Sequence, residues 1–214
     1  VILPFRTAAD WAREGARVAA HLRAGGLIAY PTETVYGLGS ALREDALERL
    51  AAFKGGRETK PFLLLLERPE EAPGLEWNDC ARQLARAFWP GPLTLALRAE
   101  PGRYPARVVG AEGTVAVRSS PHPAVRALVS ALGEPITSTS ANLPGAPPAT
   151  RTEEVLELAR ALGNPADLWV LDGGALPASA PSTVVDCASE RPRILREGAI
   201  VGARLRGVVE NLAG

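Results

Sequence analysis

The chain has 214 residues, 46% of them hydrophobic and 22% charged, with 24 basic and 24 acidic side chains. That balance suits one soluble globular domain with a full core, and it excludes a global basic field able to hold nucleic acid nonspecifically. No apolar run approaches the roughly 20 residues that span a membrane, and Val1-Ile2-Leu3-Pro4-Phe5-Arg6 has neither the basic flank nor the apolar length of a signal peptide, so the expected compartment is the cytoplasm.

Residues 8–24 carry a helical pattern with Trp11, Val18, Ala19 and Leu22 on one side, ended by Gly25-Gly26. Leu27 to Tyr30 reads as a short buried strand stopped by Pro31, and residues 44–53 as a helix with Leu47, Leu50 and Ala51 at core spacing. The continuous apolar run Phe62 to Leu66 suits a strand covered on both faces. Asn78 is placed to cap a helix through Phe88, which Trp89-Pro90-Gly91-Pro92 breaks. Leu93 to Arg98 and Thr114 to Arg118 alternate as half-buried strands do; residues 121–132 read as a helix, and Pro135 to Thr139 as a strand entering Ser140-Ala141-Asn142. A helix from Thr152 to about residue 162 follows. Leu168–Leu171, Thr183–Cys187 and Arg193–Leu195 are shorter strands, and Arg204 to Leu212 reads as a final helix. The mixture predicts one α/β domain over 1–200 with a helical tail over 201–214. The pattern leaves open whether the sheet is parallel or mixed, because several neighbouring strands have no helix between them.

The residue inventory narrows the chemistry. Cys80 and Cys187, the only cysteines, make neither a disulfide framework nor a zinc pattern. His21 and His122 are the only histidines, which excludes a His-rich metal site; His122, between Pro121 and Pro123, suits a capping or surface role. Carboxylates, hydroxyls, backbone amides and cations remain. Of 24 basic residues only Lys54 and Lys60 are lysine, and both lie in one Gly-containing turn. A lysine is a compact point charge and an arginine a planar fork, so keeping both ammonium groups in one turn points to an anion site.

Five segments are candidates for chemistry. Tyr30-Pro31-Thr32-Glu33-Thr34-Val35-Tyr36-Gly37-Leu38-Gly39 runs a strand into two hydroxyls flanking a carboxylate, with glycines that admit close backbone approach. Lys54-Gly55-Gly56-Arg57-Glu58-Thr59-Lys60-Pro61 puts three cations on a short loop suited to a polyphosphate, without the GK[ST] of a Walker loop. Thr114-Val115-Ala116-Val117-Arg118 ends an apolar strand on a cation, where ligands of α/β folds often bind. Thr137-Ser138-Thr139-Ser140-Ala141-Asn142 offers four hydroxyls and an amide. Pro181-Ser182-Thr183-Val184-Val185-Asp186 precedes Leu195-Arg196-Glu197-Gly198. Each alone also fits a capping turn, a solvated loop or a solvated charge.

Their order and wording, together with Trp89-Pro90-Gly91-Pro92-Leu93-Thr94, resemble the YrdC-like threonylcarbamoyl-AMP synthases over roughly residues 10–200. The resemblance implies a twisted mixed α/β sheet with a large electropositive cleft. It implies that L-threonine, bicarbonate and ATP give threonylcarbamoyl-AMP and pyrophosphate, with Mg2+. Other proteins then pass the threonylcarbamoyl group to tRNA, which the cleft itself would contact only weakly. By the same resemblance Lys54 and Arg57 are catalytic and, with Lys60, grip ATP phosphates. Thr114, Ser140, Asn142 and Arg196 contact the nucleotide. Thr34, Arg118, Ser138 and Ser182 hold threonine, Arg118 by its carboxylate.

The chain departs from the family pattern in four places. Arg57 stands one residue further from Lys54 than usual, Leu65 replaces a histidine of some members, and Pro148 stands where a serine can meet nucleotide. The chain ends soon after Arg196, as in a short form without the extra C-terminal domain of longer members. Two other readings remain: a paralogue making another acyl-adenylate, and an RNA-binding module, against which stand zero net charge and 5% aromatic content.

Overall fold

A computed structural model describes residues 1–55, 60–143 and 145–213. Its strands are β1 (Ile2–Pro4), β2 (Leu27–Pro31), β3 (Tyr36–Gly39), β4 (Leu63–Leu65), β5 (Leu93–Arg98), β6 (Thr114–Arg118), β7 (Ile136–Ser140), β8 (Leu168–Asp172), β9 (Thr183–Asp186) and β10 (Arg193–Arg196). They form one sheet in the order β1-β8-β2-β3-β7-β4-β6-β5-β9-β10. It is mixed: β1/β8, β2/β8, β4/β6 and β5/β9 pair parallel, and the other neighbours antiparallel. The helices are α1 (Ala8–Arg23), α2 (Glu44–Phe53), α3 (Asp79–Phe88), α4 (Pro123–Leu132), α5 (Thr152–Ala161) and α6 (Gly202–Arg206).

Successive strand side chains point to opposite faces, and this alternation splits the core in two. Leu27 and Ala29 of β2 join Leu64, Val115 and Val117 on one face, under Leu47 and Leu50 of α2, Leu84 of α3 and Val155 of α5. Ile28 and Tyr30 join Leu65 and Ile136 on the other, under Val18 and Leu22 of α1 and Val125, Leu128 and Leu132 of α4. Each fully buried leucine contributes about 1.5–3 kcal/mol, so the two layers together outweigh any single polar contact in the fold.

The helix ends follow their capping chemistry. Thr7 and Asp10 close a capping box at α1, Asn78 accepts from Ala81 N at 2.9 Å at α3, and His122 Nδ1 accepts from Ala124 N at 3.2 Å at α4. Burial pushes the His122 imidazole below its ordinary pKa, which keeps that acceptor nitrogen unprotonated. Gly133, with φ 77°, ends α4 in the left-handed conformation that favours glycine. The Trp89–Pro90 peptide is cis, and Trp89 Nε1 donates to Leu93 O at 2.7 Å as the chain enters β5.

Several expectations change. β1 and β3 were not anticipated as strands. Gly37 and Gly39 belong to the β3 ladder, where a Cβ on Gly39 would collide with the Thr137 carbonyl across the sheet. β5 is not half-buried: Leu93 to Ala96 are all buried, because its second face is covered by chain rather than water. The tail helix is the five-residue α6, which Gly207 caps, after which the chain turns and bridges Ala213 to Arg193. Cys80 and Cys187 bring their Sγ atoms to 3.9 Å as free thiols, an adjacency made by packing α3 against the end of β9.

Asp172 closes a polar network at the end of β8. Its Oδ1 accepts from Thr152 Oγ1 at 2.6 Å and Gly174 N at 2.9 Å, and Arg6 Nη2 donates to Oδ2 at 2.8 Å. Tyr36 Oη donates to Gly174 O at 2.9 Å and meets Thr152 Oγ1 at 2.8 Å. Burial pushes the Asp172 carboxyl up, but these donors outweigh it and hold it below its ordinary value. A carboxylate with a depressed folded pKa contributes stability above the unfolded pKa and loses it as pH falls through the folded one. Asp172→Asn is therefore expected to cost about 1–2 kcal/mol at neutral pH and to flatten the fall in stability below pH ~4. Urea midpoints against pH check this, and an unchanged acid limb would remove Asp172 from that account.

Candidate functional site

The alternation that divides the core also assembles the polar side chains. In β6, Val115 and Val117 face the core under α2 and α3, so Thr114 and Arg118 face the other way. The register pairs Leu65 with Arg118 and Leu63 with Ser138, which places Ser138 and Ser140 of β7 on that same face. Thr94 of β5 interrupts the inward series Leu93, Leu95 and Leu97, and Ser182 precedes β9 in the matching phase. Here the sheet meets the turn at 32–35 and the segment 173–182 instead of a helix. Ser179 Oγ ties these two together, reaching Glu33 O at 3.3 Å and Thr34 O at 3.4 Å.

Three contact groups occupy the region. In the first, Lys54 caps the C-terminus of α2 and is 5% exposed. Its Nζ donates to Ser140 O at 3.0 Å, Asn142 O at 2.8 Å and Asn142 Oδ1 at 3.0 Å. Ser140 Oγ donates to the same Asn142 Oδ1 at 2.6 Å. A buried ammonium thus gathers the end of β7 around one positive charge, with the charge-assisted bonds that make such a group tolerable inside a protein. Beside it, Asn142, Leu143, Pro147, Pro148, Thr150 and Glu154 help line a cavity of about 510 Å³.

The second group centres on Arg118, 6% exposed. Its guanidinium forms an ion pair with Glu33, whose Oε2 accepts from Ser120 Oγ at 2.5 Å. Arg118 Nε has no hydrogen-bond partner among the described residues. Burial, with a smaller contribution from the positive charge of Arg196, pushes the guanidinium down to about 10. In the third group Ser182 Oγ meets Thr94 Oγ1 at 2.9 Å, while Arg196 Nη2 donates to Ser182 O at 2.8 Å and lies 3.3 Å from Ser182 Oγ. Thr34 is buried, with its Oγ1 3.1 Å from Thr32 Oγ1.

Among the residues singled out from the sequence, Lys54, Ser140 and Asn142 are in direct contact, as are Ser182 and Arg196. Tyr30, whose phenol burial pushes up, donates to Thr137 O at 3.4 Å, the residue before Ser138. Thr114 opens β6 and Arg118 closes it, so they stand about 13 Å apart along the strand. Thr114 Oγ1 flanks Gly110 together with Pro61, next to the exposed Lys60. Arg57 lies outside the described residues. Leu65 is buried with Ile28, Tyr30 and Ile136, giving Arg118 an apolar wall where a histidine would offer a ring nitrogen. Sequence reasoning marked Glu33 as the carboxylate of its segment but gave it no role, and it missed Ser120 and Thr94 as site members. Thr94 had a signal, a lone hydroxyl in an apolar strand, whereas the partners of Glu33 are 85 or more positions away and had none.

A mixed α/β sheet with buried cations and hydroxyls gathered at its strand ends defines a class of protein suited to hold small anionic molecules. The chain belongs to the Sua5/YciO/YrdC family, whose model, described as "Telomere recombination", matches residues 20–198. It is 35% identical over 198 residues to the threonylcarbamoyl-AMP synthase of Bacillus subtilis, covering 91% of this chain and 56% of that protein. It is 38% identical over 182 residues to the threonylcarbamoyl-AMP synthase of Thiobacillus denitrificans, covering 83% and 94%. The crystal structure of P. abyssi Sua5 complexed with L-threonine superposes with a TM-score of 0.87 at 32% identity, over 100% of this chain and 62% of that one. The chain thus spans a little over half the length of the Bacillus relative.

Proposed function

We propose that the chain is an L-threonylcarbamoyladenylate synthase, a nucleotidyltransferase that joins L-threonine, bicarbonate and ATP into threonylcarbamoyl-AMP and releases pyrophosphate. The observation that carries the reading is the arrangement of the three cations. Lys54 is knotted to Ser140 and Asn142 at the end of β7, and Arg196, held on Ser182, lies near enough to Arg118 for the two charges to repel. That pairing of a phosphate-type cation with a carboxylate-type fork is what joining a polyphosphate to an amino acid requires. The synthase names of the Bacillus and Thiobacillus relatives and the threonine complex of the Pyrococcus protein support the same assignment.

In this reading the threonine carboxylate seats on Arg118, and Thr34, Ser138 and Ser182 place the rest of the amino acid. Its amine takes up bicarbonate as a carbamate, and a carbamate oxygen attacks the α-phosphate. That nucleophile is already anionic, so the protein supplies charge neutralisation and alignment rather than an activated serine or cysteine. Lys54, Arg57 and Lys60 offset phosphate repulsion; Thr114, Ser140, Asn142 and Arg196 hold the nucleotide, with the cavity beside Asn142 receiving its base. Mg2+ comes with ATP, since such ions are commonly held by substrate phosphates with few protein ligands. The product passes to tRNA threonylcarbamoyl-transfer proteins in the cytoplasm, with at most weak contact to tRNA here. Among the described residues no helix is long and apolar enough to cross a membrane.

Pyrophosphate release from ATP, measured with each amino acid in turn and with or without bicarbonate, tests this. Release that needs both threonine and bicarbonate is the expected result. Turnover with a different amino acid would replace threonine, and RNA binding without turnover would overturn the synthase reading.

A further inference from the structure

An internal carboxylate, that of Glu33, already forms an ion pair with the Arg118 guanidinium through Nη2. The two partners differ in freedom: the Arg118 side chain is 7% exposed and that of Glu33 is 18% exposed. Arg118 closes β6 in the interior of the sheet, paired through its strand to β4 and β5. Glu33 sits in the turn between β2 and β3, outside the ladder. A hydroxyl holds the carboxylate in place, since Ser120 Oγ donates to Glu33 Oε2 at 2.5 Å. The fit is incomplete, because Arg118 Nε and Nη2 and Glu33 Oε1 are all buried without a hydrogen bond among the described residues, the last two meeting only as an ion pair. A carboxylate approaching along the Nε–Nη2 edge would satisfy both nitrogens, as bidentate arginine pairing does.

We propose that Glu33 and the carboxylate of the amino-acid substrate are competing partners of Arg118, so that Glu33 swings off the guanidinium as the substrate seats. Glu33 is then a specificity-determining residue. A ligand without a carboxylate has nothing to exchange for Glu33 and leaves it in place, whereas an α-amino acid replaces one charge-assisted pair with a better one. The mobile member is the glutamate, on the grounds of its turn position and exposure, and Arg196 keeps the face positive while the exchange takes place. The inference rests on the reading of Arg118 as the carboxylate site.

Calorimetric titration of the full chain with L-threonine and with L-threoninol, which lacks the carboxylate, tests it in three proteins: the parent, Glu33→Gln and Ser120→Ala. The Gln variant keeps the shape and an acceptor for Ser120 but removes the competing charge; its threonine affinity is expected to rise on the order of tenfold. Ser120→Ala loosens the hold on Glu33 and is expected to shift affinity the same way by a smaller factor. Threoninol affinity should be unchanged in both. A purely structural role for Glu33 would lower affinity for both ligands. Weaker or equal threonine binding in the Gln variant, or an equal gain for threoninol, would overturn the exchange. If the Gln variant does not fold, the direction of the Ser120→Ala shift decides alone.

A panel of amino acids separates the two failures. Should another amino acid bind the parent and gain in the Gln variant, the exchange stands and threonine is the wrong substrate. Should threonine bind the parent without gain in either variant, the substrate stands and the exchange falls.

Discussion

Replacing Lys54 with methionine is expected to lower threonine- and bicarbonate-dependent pyrophosphate release by roughly 100- to 1,000-fold, the usual cost of deleting one preorganised group that meets developing charge. Two effects compete in such a variant. Lys54 Nζ holds Ser140 O, Asn142 O and Asn142 Oδ1; losing it removes one donor from each, although Ser140 O still accepts from Asn142 N, a cost of about 1–3 kcal/mol in stability. Methionine keeps most of the side-chain volume, and Ser140 Oγ still donates to Asn142 Oδ1, so the end of β7 should stay in place. The fall in turnover therefore exceeds what partial unfolding would give, and thermal melts recorded beside the assay separate the two. Lys54→Arg should not restore activity: a planar fork does not fit a cradle of three oxygens converging on one nitrogen. Recovery to within tenfold of the parent in the arginine variant would show that only the charge matters.

Arg118→Met is expected to weaken threonine binding by about 100-fold or more, which corresponds to roughly 3 kcal/mol, with little change in the stability of the protein itself. Breaking a buried ion pair from one side often costs 3–5 kcal/mol, because the remaining charge is stranded. Two features reduce that cost here. Glu33 keeps its bond to Ser120 and some contact with solvent, and the guanidinium being removed is already destabilised by burial and by Arg196. Because burial depresses the Arg118 pKa, the charged form opposes folding throughout the neutral range, and its removal relieves that cost. The net change in stability should fall within about 1 kcal/mol of zero. Titration calorimetry and urea melts check the pair of outcomes. A large loss of stability with threonine affinity preserved would reverse the assignment, making Arg118 a structural cation and leaving the substrate carboxylate to Arg196.

The elements with strong local signals were legible in the residues. α3 runs from its Asn78 cap to Phe88, and β5 and β6 have the bounds that their apolar runs suggested. β3 was hidden because two of its four residues are glycine, which carry no propensity for a strand. β1 was hidden because three residues beside a proline give no period to read. The tail helix was misplaced because a short apolar pattern does not tell a helix from a turn that docks on the last strand.

By itself the sequence determined the class of the fold and the wording of the anion-binding segments, since both are written in local runs of residues: caps, apolar periods, paired lysines and hydroxyl-rich strand ends. Only the tertiary structure decided the strand order, the mixed pairing and which of those segments meet. Lys54 reaches residues 86 and 88 positions away, and Glu33 reaches Ser120 across 87. Such contacts depend on sheet register and side-chain alternation, which arise from burying two apolar layers at once, so no single segment contains them.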